Sequence, residues 1–422
     1  MKTLLLNTSD TGGGAARAAY RLHEGLRNLK VDSQMLVAVK SSSDRSVVGT
    51  SAQSGIGKAR TGLRLTLDQL PLKFYSQGGT TNFSPHWFPD RVNHQVVQLA
   101  PDIINLHWVS AGFLQIETLK KFKRPLVWTL HDMWAFTGGC HYNEECDRYM
   151  ATCGSCPQLG SSRDWDLSRW IWQRKAKAWR DIDLTVVTPS NWLAQCARKS
   201  SLFGDRKIEV ISNSIDTDTY RPIDKKVARD ILKLPQDKQL ILFLSLQATS
   251  DRRKGFHLLQ PALQKLSQAG WKEKLELIVV GASTPQTPPQ FGFESHYLGT
   301  LKDDQTLTLA YSAADVFIVT SIQDNLPNTL LEATSCGTPC VGFNIGGIPD
   351  TIEHQHTGYL ADPNGIDDLV RGIIWTLENE ERYYKLSHNA REKAEREFSQ
   401  QHQAQRYLSL FEQILLKNSN SL

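Results

Sequence analysis

Two carboxylates eight positions apart, Asp324 and Glu332, bracket "NLPN" in the block "TSIQDNLPNTLLEATSCGTPCVGFNIGGIPD" (320–350). The apolar run "DVFIVTS" before them reads as a strand, and "TLLEATSC" reads as the start of a helix. A loop at a helix N-terminus presents backbone N–H groups to a phosphate. Glu332, inside the helix, can accept from hydroxyls such as those of a ribose, and Asp324, before it, from a second set. The alternative is that Asn325 or Asn328 caps the helix and Glu332 lies on a solvent face. Upstream, "SDRRKGFHLL" (250–259) places Arg252, Arg253 and Lys254 ahead of Gly255 and an amphipathic helix. Cations at the carboxyl end of a strand can grip a diphosphate, although a run of charge is often only a solvated face.

Near the start, "NTSDTGGGAAR" (7–17) sets Gly12, Gly13 and Gly14 between a strand and a helix. Glycines permit close approach of a ligand to backbone, or simply make a tight turn. The spacing fits neither the dinucleotide fingerprint nor the ATPase phosphate loop. The stretch "HDMWAFTGGCHYNEECDRYMATCGSC" (131–156) opens on His131, which follows the strand "PLVWTL", with Asp132 as its expected orienter. Its cysteines Cys140, Cys146, Cys153 and Cys156 are spaced C-x5-C-x6-C-x2-C, within reach of a tetrahedral structural zinc. Buried free thiols or adventitious disulfides are the plainer readings. Cys196, Cys336 and Cys340 read as small core residues.

These groups need a scaffold. "KTLLLN", "DSQMLVAV", "PDIINLHW", "PLVWTLHD" and "DLTVVTPS" are apolar strand runs separated by helical segments, and "QLILFLSL", "LELIVVGA", "DVFIVTS" and "TPCVGFN" repeat the pattern. Such runs imply parallel sheets covered on both faces, hence an α/β chain of two doubly wound domains. The polar segment "VISNSIDTDTYRPIDKK" (210–226) is the expected linker. The domains are expected at 1–215 and 216–399, with a terminal helix over 400–422. Ligands of such sheets sit beyond the carboxyl ends of the strands, and two domains face to face would make a cleft for two substrates.

With 422 residues, 40% hydrophobic and 22% charged, the chain can bury large cores, and its net charge of +4 is too weak to argue for nucleic acid. No secretory signal or membrane-spanning run is visible, so a cytoplasmic protein is expected. "SGIGKARTGLRLTLDQLPLKFY" (54–75) mixes basic and apolar residues, as does a helix lying on an anionic membrane surface or an ordinary surface helix. In "SRWIWQRKAKAW" (168–179), Trp170, Trp172 and Trp179 are expected to pack in the core.

The motifs "GGGAAR", "NLHW", "TLHD", "VTPSNWL", "DRRKGF", "YSAADVFIVTSIQDNLPNTLLEATSCGTPCVGF", "GGIPD" and "TGYLADP" run through nearly the whole chain, and on them it resembles a retaining glycosyltransferase of family 4 with the GT-B fold. "HDMWAFTGGCHY" with "CGSCPQLG" resembles a bacterial subgroup linked to exopolysaccharide and colanic-acid-type synthesis. The resemblance implies transfer of a sugar from a nucleotide-diphospho-sugar to a glycan or lipid-linked acceptor, with retention and without a catalytic metal. It implies that Lys254 binds the donor pyrophosphate with Arg252 or Arg253 nearby. The backbone of Asn325, Leu326, Pro327 and Asn328 would meet the donor phosphate and sugar. Glu332 would hold the ribose, Asp324 the sugar hydroxyls, and Gly13 and Gly14 would lie near the phosphates. His131 would reach the sugar from the first domain, and the terminal helix would return to that domain. Two departures stand out: Asp324 occupies a place the family usually gives to glutamate, and Ala248 a place usually held by arginine. Two rival readings are a catalytically silent sugar-nucleotide-binding protein and a GT-B-type nucleotide-sugar epimerase. No side chain is marked as a covalent nucleophile.

Overall fold

The computed structural model describes residues 1–50, 62–64, 66–76, 82–244, 251–281, 289–301 and 303–419. Ala248 and positions 54–61 and 65 of the 54–75 segment fall outside them. The chain divides into two compact units, Met1–Asn213 joined by the chain from Gln401 onward, and Ser214–Gln400.

The first unit holds a seven-stranded sheet in the order β3-β2-β1-β4-β5-β6-β7. Its strands are β1 (Lys2–Ser9), β2 (Asp32–Val39), β3 (Val47–Gly49), β4 (Ile103–Leu106), β5 (Leu126–Thr129), β6 (Leu184–Thr188) and β7 (Lys207–Val210). Every pairing is parallel. Successive residues feed opposite faces of the sheet. Leu4, Leu6, Leu36, Ile104, Leu106, Trp128 and Val186 enter one core. Leu5, Met35, Val37, Ile103, Val127 and Val187 enter another, with Ala19, Leu22 and Leu26 of helix α1 (Gly14–Asn28). The terminal helix Gln400–Ser419 completes that second core with Ala404, Tyr407, Leu410 and Phe411. Its Tyr407 hydroxyl lies 2.9 Å from Thr129 Oγ1.

The second unit holds a six-stranded sheet in the order β10-β9-β8-β11-β12-β13. Its strands are β8 (Gln239–Leu244), β9 (Leu275–Val280), β10 (Ser295–Gly299), β11 (Val316–Val319), β12 (Cys340–Phe343) and β13 (Gly358–Ala361), again all parallel. Leu240, Leu242, Ile278, Val280 and Phe317 face one side, Ile241, Phe243, Leu277, Val279 and Ile318 the other. Buried on both faces, the inner strands β8, β9, β11 and β12 have the near-continuous apolar character of parallel sheets. Among the described residues, no helix is long and apolar enough to cross a membrane.

Candidate functional site

In the second unit, β8 leads to a short turn at Arg252–Lys254, and β11 leads to the loop before the helix Asn328–Ser335. The two loops are locked together by backbone. Ile322 N donates to Arg253 O at 2.8 Å, and Thr320 Oγ1 donates to Lys254 O at 3.0 Å. Gly255 follows with φ +70°, and a Cβ built there would stand 1.7 Å from Thr320 O. Only glycine allows that approach. The result is that Lys254 Nζ reaches Asp324 Oδ2 at 2.6 Å. Burial pushes the Asp324 carboxyl upward, but Lys254 and Arg253 outweigh it and hold it below the usual carboxylate range.

A cavity of about 150 Å³ opens there, lined by Lys254, Thr320, Ser321, Asp324, Pro327 and Thr329 over the apolar strand ends. The adjoining helix begins without a side-chain cap, so no side chain screens the positive end of its dipole there. Cation, carboxylate and helix N-terminus thus converge at the carboxyl end of a parallel sheet, where such folds bind ligands.

The remaining expected residues fall into different places. Arg253 donates to Gln323 O at 2.9 Å and pairs with Asp251 at 2.8 Å, so its work is to tie the loops. Arg252 is exposed. Asn325, Leu326 and Pro327 are buried and Asn328 is half-buried. Glu332 is only 1% exposed, does not line the cavity, and accepts from the Tyr311 hydroxyl at 3.0 Å. The solvent-face alternative for Glu332 is therefore wrong: the helix buries that face. Gly346 was not singled out from sequence. Its φ is +59°, a Cβ there would lie 2.3 Å from Asp324 O, and Gly347 N donates to that same oxygen at 3.1 Å. The double glycine in "NIGGIPD" was the available signal.

In the first unit, Gly13 and Gly14 are exposed at the start of helix α1, Gly13 has φ +90°, and that helix too lacks a side-chain cap. Beyond β5, His131 Nε2 lies 3.0 Å from His107 Nδ1, and His107 Nε2 lies 3.0 Å from Asn105 Oδ1. Asn105 Nδ2 donates to Val127 O and Thr129 Oγ1, which fixes Asn105 Oδ1 as an acceptor. His107 must then carry its proton on Nε2, and His131 Nε2 must be the donor to His107 Nδ1. Burial depresses His131 to about 4 against the partial opposition of Asp132, and depresses His107 further. Both rings are neutral at pH 7. His107 is therefore the side chain that orients His131. Asp132, expected in that role, gives its carboxylate to Trp108 Nε1 at 2.8 Å, His141 Nδ1 at 2.6 Å and Trp134 N at 2.9 Å. It organises the loop after His131 and acts on that ring as a nearby charge.

The loop is pinned from below by Lys175, fully buried, which donates to the carbonyls of Trp134 and Thr137. Cys140, Cys146, Cys153 and Cys156 all line one cavity of about 20 Å³. Among the described residues, the one group of three or more metal-type ligands whose ligand atoms lie within 4.8 Å of one another is Glu276, Glu294 and His296. The cysteine sulfurs are spread more widely, whereas zinc–sulfur bonds of about 2.3 Å require sulfurs roughly 4 Å apart. An ion would have to draw them together. Trp179 packs in the core, whereas Trp170 and Trp172 are half-buried.

Two family models divide this chain between them. The model described as Glycosyltransferase Family 4 matches residues 12–219, and that described as Glycosyl transferases group 1 matches residues 224–393. The chain belongs to the family 4 glycosyltransferases. Among curated relatives, this glycosyltransferase is 25% identical over 272 residues to the putative colanic acid biosynthesis glycosyl transferase WcaC of Escherichia coli K12, covering 60% of the chain and 62% of the relative. It is 23% identical over 221 residues to the N-acetyl-alpha-D-glucosaminyl L-malate synthase of Bacillus anthracis, covering 51% and 56%. The chain thus spans about three fifths of the length of these relatives. Among solved structures, sucrose-phosphate synthase from Thermosynechococcus elongatus superposes with a TM-score of 0.69 at 17% identity, covering 99% of this chain and all of that one. Anabaena HepE in complex with UDP-glucose superposes at 0.63 with 19% identity and full coverage of both chains. These likenesses give the glycosyltransferase its GT-B fold class of two parallel-sheet α/β units.

Proposed function

We propose that this glycosyltransferase takes a sugar from a nucleotide-diphospho-sugar and passes it to a glycan or lipid-linked acceptor with retention of anomeric configuration, in exopolysaccharide or other cell-surface polysaccharide synthesis. The observation that carries this is Lys254 poised 2.6 Å from Asp324 beside an uncapped helix N-terminus. As the bond from the sugar to the diphosphate breaks, negative charge gathers on the leaving oxygen. Lys254, exposed Arg252 and the helix N-terminus are fixed charges that meet it without metal help. Asp324, ionised at neutral pH, accepts from sugar hydroxyls. Neutral His131, a donor at Nε2 to His107, is the group the first unit would bring to the sugar. The new bond forms to the acceptor hydroxyl, whose proton leaves with the nucleoside diphosphate. The likeness to WcaC supports the polysaccharide setting, and UDP-glucose in the HepE complex supports the donor class.

Thermal-shift screening against UDP-, GDP- and ADP-sugars tests the donor, since a ligand that binds only the folded chain raises its unfolding temperature. One donor class should stabilise the wild type, turn over with a suitable acceptor, and fail to stabilise Lys254→Ala. Unchanged binding and turnover by Lys254→Ala would remove the assignment. Binding without turnover of any donor would favour a silent sugar-nucleotide-binding protein, the reading that Asp324 in place of glutamate keeps alive. A structural zinc in the cysteine loop is a separate proposal, resting on four thiols around one cavity.

A further inference from the structure

The first unit carries an apolar groove of about 660 Å³ that the transfer chemistry leaves unused. It is lined by Leu70, Pro71, Phe74, Tyr75, Trp165 and Trp170, with Trp87, Asp166 and Leu167 behind them. Phe74 is 87% exposed and Trp165 61%. The polar atoms of Tyr75, Trp87 and Asp166 turn inward. The Tyr75 hydroxyl accepts from Leu167 N at 2.9 Å, and Trp87 Nε1 donates to the carbonyls of Leu67 and Asp68. Asp166 caps the helix Leu167–Trp179 and accepts from Cys156 N at 2.8 Å. What remains outward is mostly hydrocarbon and aromatic face, at a patch of the kind that marks an interaction site.

The charges beside it are lopsided. Lys73 precedes Phe74, and Arg163 stands two residues before Trp165; both are exposed. The neighbouring acid Asp164 is neutralised by Arg169 at 2.5 Å, and Asp68 is buried against the backbone of residues 86–88. Each of the two protruding aromatics therefore travels with a cation. Aromatic side chains that bury their rings while flanking lysine and arginine stay at the phosphate level are the composition of a surface that lies on an anionic bilayer. A two-fold interface with a second copy would bring this cationic patch onto an identical cationic patch.

We propose that this groove is a docking surface for an anionic phospholipid bilayer, with Phe74 and Trp165 entering the acyl boundary and Lys73 and Arg163 meeting lipid phosphates. It stands on the surface alone and not on the donor site, so either can fail without the other. The test is co-sedimentation of the full chain with phosphatidylcholine vesicles with and without phosphatidylglycerol. The wild type should pellet with the anionic vesicles. Phe74→Ser with Trp165→Ser should weaken vesicle affinity by at least roughly tenfold, the loss expected when two buried aromatic side chains are removed. Lys73→Glu with Arg163→Glu should abolish the preference for the anionic vesicles. Because all four side chains are exposed, both double variants should keep the wild-type unfolding temperature and nucleotide binding. A wild type that stays in the supernatant, or a serine variant that pellets as well as wild type, overturns the proposal. So does self-association lost in the serine variant with no vesicle binding, which would make the face an interface between copies.

Discussion

Replacing Gly255 by alanine should damage donor binding far more than its single methyl group suggests. The methyl would start 1.7 Å from Thr320 O, and that contact must open to at least 3.0 Å. The two loops must then part by more than an ångström. Lys254 is the residue immediately before, and its carbonyl is held by Thr320 Oγ1, so the move carries its ammonium away from Asp324. A misplacement of about 1 Å in a positioned group costs on the order of 10²-fold, or about 2.7 kcal/mol. Stability should fall as well, by about 1–2 kcal/mol for a left-handed alanine and a further 1–3 kcal/mol for the overlap. Gly270→Ala separates these effects. Its φ of +87° imposes a similar backbone penalty, but nothing lies within 4 Å of the added methyl. The assay is isothermal titration with whichever nucleoside diphosphate stabilises the wild type, alongside urea unfolding of both variants. Gly270→Ala should lose stability and keep its affinity; Gly255→Ala should lose both. An affinity of Gly255→Ala within about twofold of wild type would refute the claim that these loops hold Lys254 in place for the ligand.

Stability should also follow pH through buried neutral histidines. His131 and His23 are both held near 4 by burial, against an ordinary value of 6.5. Between those values the unfolded chain binds protons that the folded chain refuses, so stability drops as pH falls from about 6.5 toward 4. Urea midpoints at pH 7 and pH 5 should differ in that sense, and His23→Gln should narrow the gap; equal midpoints would contradict the neutral assignment. For the cysteine loop, metal analysis of untagged protein purified without chelator should return stoichiometric zinc, with a lower unfolding temperature after chelation. Metal-free protein of unchanged stability would leave four free thiols, Cys156 buried and the other three half-buried.

Much of the fold was readable because the central strands are apolar runs. The strands that escaped notice are β3, β7, β10 and β13, and these four are the outer strands of their sheets. An edge strand is half solvated and short, so sequences such as "KIEV" and "SHYLG" lack a continuous apolar signal. At the site, charge and glycine placement pointed to Lys254 and Asp324. What sequence could not report was which partner each polar group takes. Asp132 was assigned to the adjacent His131, yet its carboxylate turns to Trp108 and His141, while the ring that orients His131 comes from another strand end. Likewise nothing in "TLLEATSC" says that Glu332 meets Tyr311, because that contact depends on how two helices pack.

The terminal helix has a consequence for biosynthesis. Tyr407, Leu410 and Phe411 fill one face of the first sheet, yet the ribosome makes them after the whole second unit. Domains usually fold in the order they emerge. Here the first unit to leave the exit tunnel is the last that can close its core, and until then the surface around Leu5, Val37 and Val127 waits open. The second unit has no such dependence. A nascent chain arrested before Gln400 should therefore carry a finished second unit and a chaperone-binding, protease-sensitive first one.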